Sequence, residues 1–123
     1  MIKNYTPHDV NVLEEKYCIF NDKTKSYCVK DEEYSILHTF TSQGVARCSL
    51  REEKISDIEG IPIVKNFYGA VYGLPDEEKG LFYIVSILVA QSLSGLRHDL
   101  IVPSRIVRDC TGKIIGCLAF SQV

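Results

Sequence analysis

The sequence predicts an α+β fold, a mainly antiparallel β-sheet with one principal buried helix at about residues 86–94. Three observations carry the prediction. Short runs of β-branched and aromatic residues recur between turn signals along most of the chain. One segment alone, LFYIVSILVAQSLSG, combines a long apolar run with helix punctuation. The last stretch, from Arg105 onward, reads as a hairpin.

Taken in order, Val10 to Leu13 forms a short strand after Thr6-Pro7. Tyr17 to Phe20 and Tyr27 to Val29 flank the polar turn Asn21-Asp22-Lys23 and pair as a hairpin. Tyr34 to Thr41 is rich in aromatic and β-branched residues, and Val45 to Leu50 follows Gly44. Ile55 to Ile58 and Ile61 to Tyr72 are joined by the tight-turn pair Glu59-Gly60. Gly69 within the second run marks a bulge or a close backbone approach. After the loop 74–80, two descriptions of the next segment compete. One is a single buried helix from 81 to 94. The other is a strand from Leu81 to Val85, then a helix capped by Ser86 and ending near Ser94, with Gly95 as its stop. The second is preferred because Phe82-Tyr83-Ile84-Val85 is a strand former. On that helix Ser86, Ala90 and Arg97 share one stripe and the other faces are apolar, so it is largely buried. Arg105 to Asp109 and Lys113 to Phe120 close the chain as a hairpin with Gly112 in the left-handed position. The total is about nine strands in a single domain, 1–123, with no repeat, linker or low-complexity tract.

Hydrophobic residues make up 46% and charged residues 24%, which fits a globular chain rather than a disordered one. The formal charge of −2 argues against generic DNA binding, which accompanies a basic face. The start MIKNYTPHDV lacks an apolar signal core, and the longest apolar run, Leu81 to Ala90, is broken by Ser86 and falls short of the ~20 residues of a membrane span. A soluble, cytoplasmic protein is expected. The five cysteines are odd in number and form no C-x-x-C pair, so they read as small strand residues in a reducing compartment.

No nucleophile elbow, phosphate loop or dinucleotide fingerprint occurs, and His8, His38 and His98 lack metal-ligand spacing. His8 in Thr6-Pro7-His8-Asp9 reads as a turn residue. The carboxylate runs at 14–15, 31–33, 52–53 and 76–78 read as solvated loops. No catalytic residue, metal or cofactor is expected. Positive charge is distributed differently. The chain has five arginines, and Arg97, Arg105 and Arg108 fall within twelve residues, with Asp99 and Asp109 among them. Arginine offers a planar fork suited to phosphate. The aspartates either pair with these arginines or join them in an anion pocket, fixing them or accepting from a ribose hydroxyl. Strand alternation places Arg105 and Asp109 on one face and Arg108 on the other, so one subunit alone does not converge all three on a pocket. Ser86 at a helix start can present N–H groups to phosphate, Phe82 is a stacking candidate, and Arg47 can complete a cationic lining.

Tyr5-Thr6-Pro7-His8-Asp9-Val10-Asn11-Val12, Gly44-Val45-Ala46-Arg47, Tyr83-Ile84-Val85-Ser86, Arg97-x-Asp99-Leu100 and Val107-Arg108-Asp109 together resemble a family of phage and prophage proteins, the first type of Thoeris anti-defence protein. The resemblance implies a non-enzymatic sponge in the bacterial host cytoplasm. Such a sponge sequesters glycocyclic ADP-ribose, and in related members cyclic oligonucleotides, as a homo-oligomer with sites at subunit contacts. It would assign Arg108 and Arg97 to phosphate, Asp109 or Asp99 to ribose, and Phe82 to stacking. Two alternatives stand beside it: a phage structural or partner-binding protein whose arginines make subunit salt bridges, and a small nucleotide hydrolase using His8 or His98.

Overall fold

A computed structural model describes residues 1–31 and 33–123. Ten strands and one helix follow in the order β1 (Ile2–Asn4), β2 (Val10–Leu13), β3 (Cys18–Asn21), β4 (Ser26–Val29), β5 (Ile36–Phe40), β6 (Arg47–Ile58), β7 (Ile61–Tyr72), β8 (Phe82–Ile84), α1 (Ile87–Ser92), β9 (Leu100–Arg108) and β10 (Ile114–Ser121), with one 3-10 turn at Glu15–Tyr17.

The expected α+β class with a principal buried helix is wrong. Strand occupies 53% of the chain and helix only 7%, and the sheet is mixed and nearly barrel-like. The six-residue α1 is capped by Ser86, whose Oγ accepts from the Val89 N–H at 3.4 Å, as the sequence indicates. It then unwinds through tight turns in which Ser94 N–H donates to the Gln91 carbonyl and Leu96 N–H to the Leu93 carbonyl. So short a helix is marginal alone. It buries only Val89 and Ala90, while Ile87 is half exposed. Arg97 lies beyond its end, so the stripe joining Ser86, Ala90 and Arg97 does not exist.

The preference for antiparallel pairing also fails. The sheet runs β1-β8-β9-β10-β2-β5, with the β3–β4 hairpin attached through β4 to β9. The β1–β8, β8–β9, β2–β10 and β4–β9 contacts are parallel. The helix is the crossover that lets β8 and β9 run parallel, since a tight turn cannot reverse the chain twice. At the far end β5 returns to β1 through a bridge between Asn4 and Ser42, and Gln43 N–H donates to the Asn4 carbonyl at 2.8 Å, closing the sheet on itself. The local hairpins hold as read: β3 pairs with β4, and β9 with β10 around a turn in which Gly112 has φ 90°.

Two apolar clusters fill the head. One gathers Tyr83, Val85, Val89, Leu100 and Val102 beneath α1, with Tyr5 edge-on to Tyr83 at 5.3 Å. The other joins Leu13, Cys18, Val29 and Val107 under the β3–β4 hairpin. Cys18 and Cys117 are buried and all five cysteines are free thiols. Gly116 lets β2 press against β10, because a Cβ there would lie 2.6 Å from the Asn11 carbonyl oxygen.

Outside the head stands a two-stranded ribbon. The segments Val45–Leu50 and Ile55–Ile58 are not separate strands: from Arg47 onward both belong to β6, which among the described residues pairs with β7 alone. Glu59 and Gly60 both have positive φ, 53° and 77°, the turn whose twist suits a two-residue hairpin. A register shift opposite Gly69 is the bulge its position indicates. Only Cys48 and Val71 at the base pack against the core. Farther out both faces are open to solvent.

Candidate functional site

The expected arginine site is dispersed. The guanidinium of Arg97 grips both carboxylate oxygens of Asp99, Nε to Oδ1 at 2.9 Å and Nη2 to Oδ2 at 2.7 Å. Its Nη2 also donates to the Pro75 carbonyl at 3.0 Å, and Glu77 Oε1 lies 3.3 Å from Nε. Asp99 is 7% exposed, and its hydrogen bonds hold the Arg97 guanidinium more firmly protonated than usual. The fork is therefore occupied. It staples the loop before β8 to the start of β9, and Tyr83, whose hydroxyl pKa burial pushes up, lies in the same corner.

At the opposite end of β9, Asp109 Oδ1 accepts from the Thr111 hydroxyl at 2.6 Å and from the Thr111 and Lys113 N–H groups. The Thr111 hydroxyl and these amides hold the carboxyl below its ordinary 3.8. Arg108 Nη1 donates to the Gly112 carbonyl at 2.9 Å. Both residues clamp the terminal turn. Eight steps of strand from Leu100 to Arg108 span about 26 Å, so the Arg97–Asp99 and Arg108–Asp109 pairs do not meet within one chain.

Arg105 has φ 51°, which interrupts the alternation assumed for residues 105–109. A left-handed conformation in an arginine is a strained exception. Arg105 is exposed, as is Arg47 at the ribbon base, and neither guanidinium makes a hydrogen bond or ion pair among the described residues. Phe82 is partly exposed at the edge formed with β1. Ser86 only caps the short helix.

A groove of about 400 Å³ opens elsewhere on the head. It lies where β2 meets β9 and β10 and is lined by His8, Asp9, Val10, Pro103, Ile106 and Ile114, among others. Its rim is built by Asn4, which is fully buried. The Asn4 amide donates to the carbonyls of His8 at 2.7 Å and Phe40 at 2.8 Å, while its oxygen accepts from the N–H and hydroxyl of Thr6. The loop carrying His8 and Asp9 is thereby fixed at the barrel seam. No local sequence pattern marks the groove, whose walls come from separate strands.

No group of three or more His, Cys, Asp or Glu residues able to hold a metal occurs among the described residues, and no helix is long and apolar enough to cross a membrane. No protein-family model matches the chain, and neither a curated protein nor a solved structure is significantly similar to it.

Proposed function

We propose that this chain is a non-enzymatic binding protein that works as a homo-oligomer assembled through the β6–β7 ribbon. The carrying observation is the ribbon itself. Each strand has twelve residues, about 36 Å of reach, and Leu50, Ile55, Ile58, Ile61, Val64, Tyr68 and Tyr72 remain exposed along it. An isolated two-stranded ribbon is marginal in water, and apolar side chains left exposed on both of its faces mark a contact surface.

The ligand proposed for the assembled form is a small cyclic nucleotide of the glycocyclic ADP-ribose kind. What supports it is the resemblance noted above together with the open guanidiniums of Arg47 and Arg105, one on the ribbon and one on the head, which a contact between copies would bring to a shared anion. The engagement of Arg97 by Asp99 and of Arg108 by Gly112 favours a second reading, an assembly protein without a nucleotide.

One pair of measurements tests both. Light scattering compares the wild type with a variant in which Asn-Gly joins Leu50 directly to its partner Tyr68. An oligomeric wild type and a folded, monomeric variant support assembly through the ribbon, and a monomeric wild type refutes it. The wild type is then incubated with cyclic and ADP-ribose-derived nucleotides, filtered and heated. Intact nucleotide released on heating supports the sponge. Altered nucleotide points to an enzyme, and no retention leaves the assembly protein.

A further inference from the structure

We infer that the free edge of β7 pairs with the same edge of a second copy, antiparallel and centred on Asn66, an inference that rests on assembly through the ribbon. Among the described residues β7 pairs with β6 alone, so its outer edge presents N–H and C=O groups with no strand beside them. Such an edge is a template for another strand. Its regular run is Ile63 to Tyr68, between Pro62, which has no N–H, and the bulge at Gly69. That run reads IVKNFY, β-branched and aromatic residues with a single charge. The outer edge of β6 is different. Arg51, Glu52, Glu53, Lys54 and Asp57 lie along it, and a register shift between Lys54 and Ser56 interrupts it. Charges and bulges are devices that keep an edge from pairing.

Symmetry fixes the register. When a strand pairs antiparallel with its own copy, facing residues must turn their N–H and C=O groups the same way, so the two-fold axis passes through a residue and not between two. An axis at Lys65 sets two ammonium groups opposite each other, which is destabilising. An axis farther toward either end runs sooner into Pro62 or the bulge. An axis at Asn66 sets its amide, both donor and acceptor, against its own copy. It also sets Val64 against Tyr68 of the second copy, two side chains that are 41% and 48% exposed in the single chain. Lys65 then faces Phe67 of the second copy. Lys65 already lies over the Phe67 ring of its own strand at 5.5 Å, and the second ring offers the same cation–π contact.

The product is a four-stranded sheet in the order β6-β7-β7-β6. Two strands are marginal alone, whereas three or more with an apolar face hold together. Pairing therefore supplies the order that the lone ribbon lacks. Leu50 faces Tyr68 in the ladder, and Val64 lies on the same side of β7, so the pairing joins two copies of this trio into one apolar face. Each chain has one such β7 run, and the outer edges of the new sheet are the charged β6 strands, so pairing stops at two copies.

The test uses the full chain, with circular dichroism to check that each variant folds. Asn66 and Glu52 face each other in the ladder and both are exposed, so Asn66→Cys and Glu52→Cys report the two edges in matched surroundings. Under copper-phenanthroline oxidation Asn66→Cys is expected to give a covalent dimer, linked through position 66 on peptide mapping, with a yield about tenfold or more above that of Glu52→Cys. Asn66→Asp and Asn66→Lys each set like charges across the axis, and light scattering is expected to show self-association about tenfold or more weaker than wild type. Mixed one to one, the two variants set opposite charges across the axis, and dimer is expected to return. A dimeric wild type whose Asn66→Cys variant does not cross-link, or whose Glu52→Cys variant cross-links equally, overturns the β7 pairing and leaves assembly through the ribbon standing. Charge variants that associate like wild type, or that fail to recover on mixing, do the same. A wild type larger than a dimer overturns the closed pair, and a wild type that is monomeric overturns both this pairing and assembly through the ribbon.

Discussion

Replacing Arg97 by alanine separates a structural arginine from a ligand-binding one. The Arg97 side chain is 17% exposed and Asp99 is more deeply buried, so the substitution strands a carboxylate in a dry corner. Breaking a buried ion pair by removing one partner costs about 3–5 kcal/mol. The bond to the Pro75 carbonyl is lost as well, for about 1 kcal/mol. Water entering the vacated space offsets part of this, which sets the expected loss at about 3 kcal/mol. With a urea m-value of about 1.5 kcal/mol/M, the midpoint falls by about 2 M. The assay is urea denaturation followed by circular dichroism, with Arg105→Ala as the exposed control, expected within about 0.5 kcal/mol of wild type. The double variant Arg97→Met with Asp99→Leu removes both charges and should recover most of the loss, since a buried pair is often replaceable by packed apolar groups. An Arg97→Ala midpoint no lower than that of Arg105→Ala refutes the staple. It would return Arg97 to the phosphate role that its spacing suggests.

Other perturbations test the remaining pieces. Asp109 has a folded-state pKa below its ordinary 3.8, so its contribution is present above that value and is lost as pH falls through the depressed one; the protection of the Thr111 and Lys113 amides relative to their intrinsic exchange rates should fall only in that acid window, and Asp109→Asn should flatten the response. A thiol reagent on the native protein should modify exposed Cys110 first, while Cys18 and Cys117, whose thiol pKa values burial pushes up, react only after unfolding. Asn4→Ala leaves the Phe40 and His8 carbonyls and the Thr6 N–H without their partner, so a loss of about 3 kcal/mol in chemical denaturation is expected.

What the sequence made legible was local. The β3–β4 hairpin, the Glu59-Gly60 turn, the Ser86 cap and the Gly112 turn all depend on residues within a few positions of one another, and propensity acts at that range. What it concealed was non-local. Ile2–Asn4 becomes a strand only because Phe82–Ile84 lies alongside it, and the parallel β4–β9 contact joins residues eighty positions apart. Pro103 sits in β9, although proline weakens a strand assignment. The arginine cluster suggests a site because Arg97, Arg105 and Arg108 fall within twelve residues, with strand alternation and subunit contacts invoked to bring their faces to one ligand. An extended strand instead separates Arg97 from Arg108, and the left-handed Arg105 cancels the face argument between them. The groove had no signature at all, since its walls come from β2, β9 and β10 and its rim from the Asn4 hydrogen bonds.

The ribbon makes the most demanding prediction, because its stability and its function depend on the same missing contacts. Arg51 and Lys65 lie over the Phe67 ring at 5.0 and 5.5 Å, and Lys54 pairs with Asp57 at 2.9 Å. Such exposed contacts contribute about 0.2–1 kcal/mol each. Against them stands the ordering of the residues beyond Cys48 and Val71, at about 1 kcal/mol or more of backbone entropy each. One hydrogen-bonded ladder with no packed face does not offset that, so the outer ribbon of a lone chain should open readily. Amides of residues 50–68 should therefore exchange fast in dilute solution and slow by at least tenfold as concentration rises through the assembly transition. Amides of β9, which pairs with β8 at its start, with β10 along its length and with β4 at its end, should be slow throughout. Ribbon exchange that is already as slow as β9 in the monomer, or that ignores concentration while the oligomer forms, would show that the arm is stable by itself and that assembly proceeds through another surface.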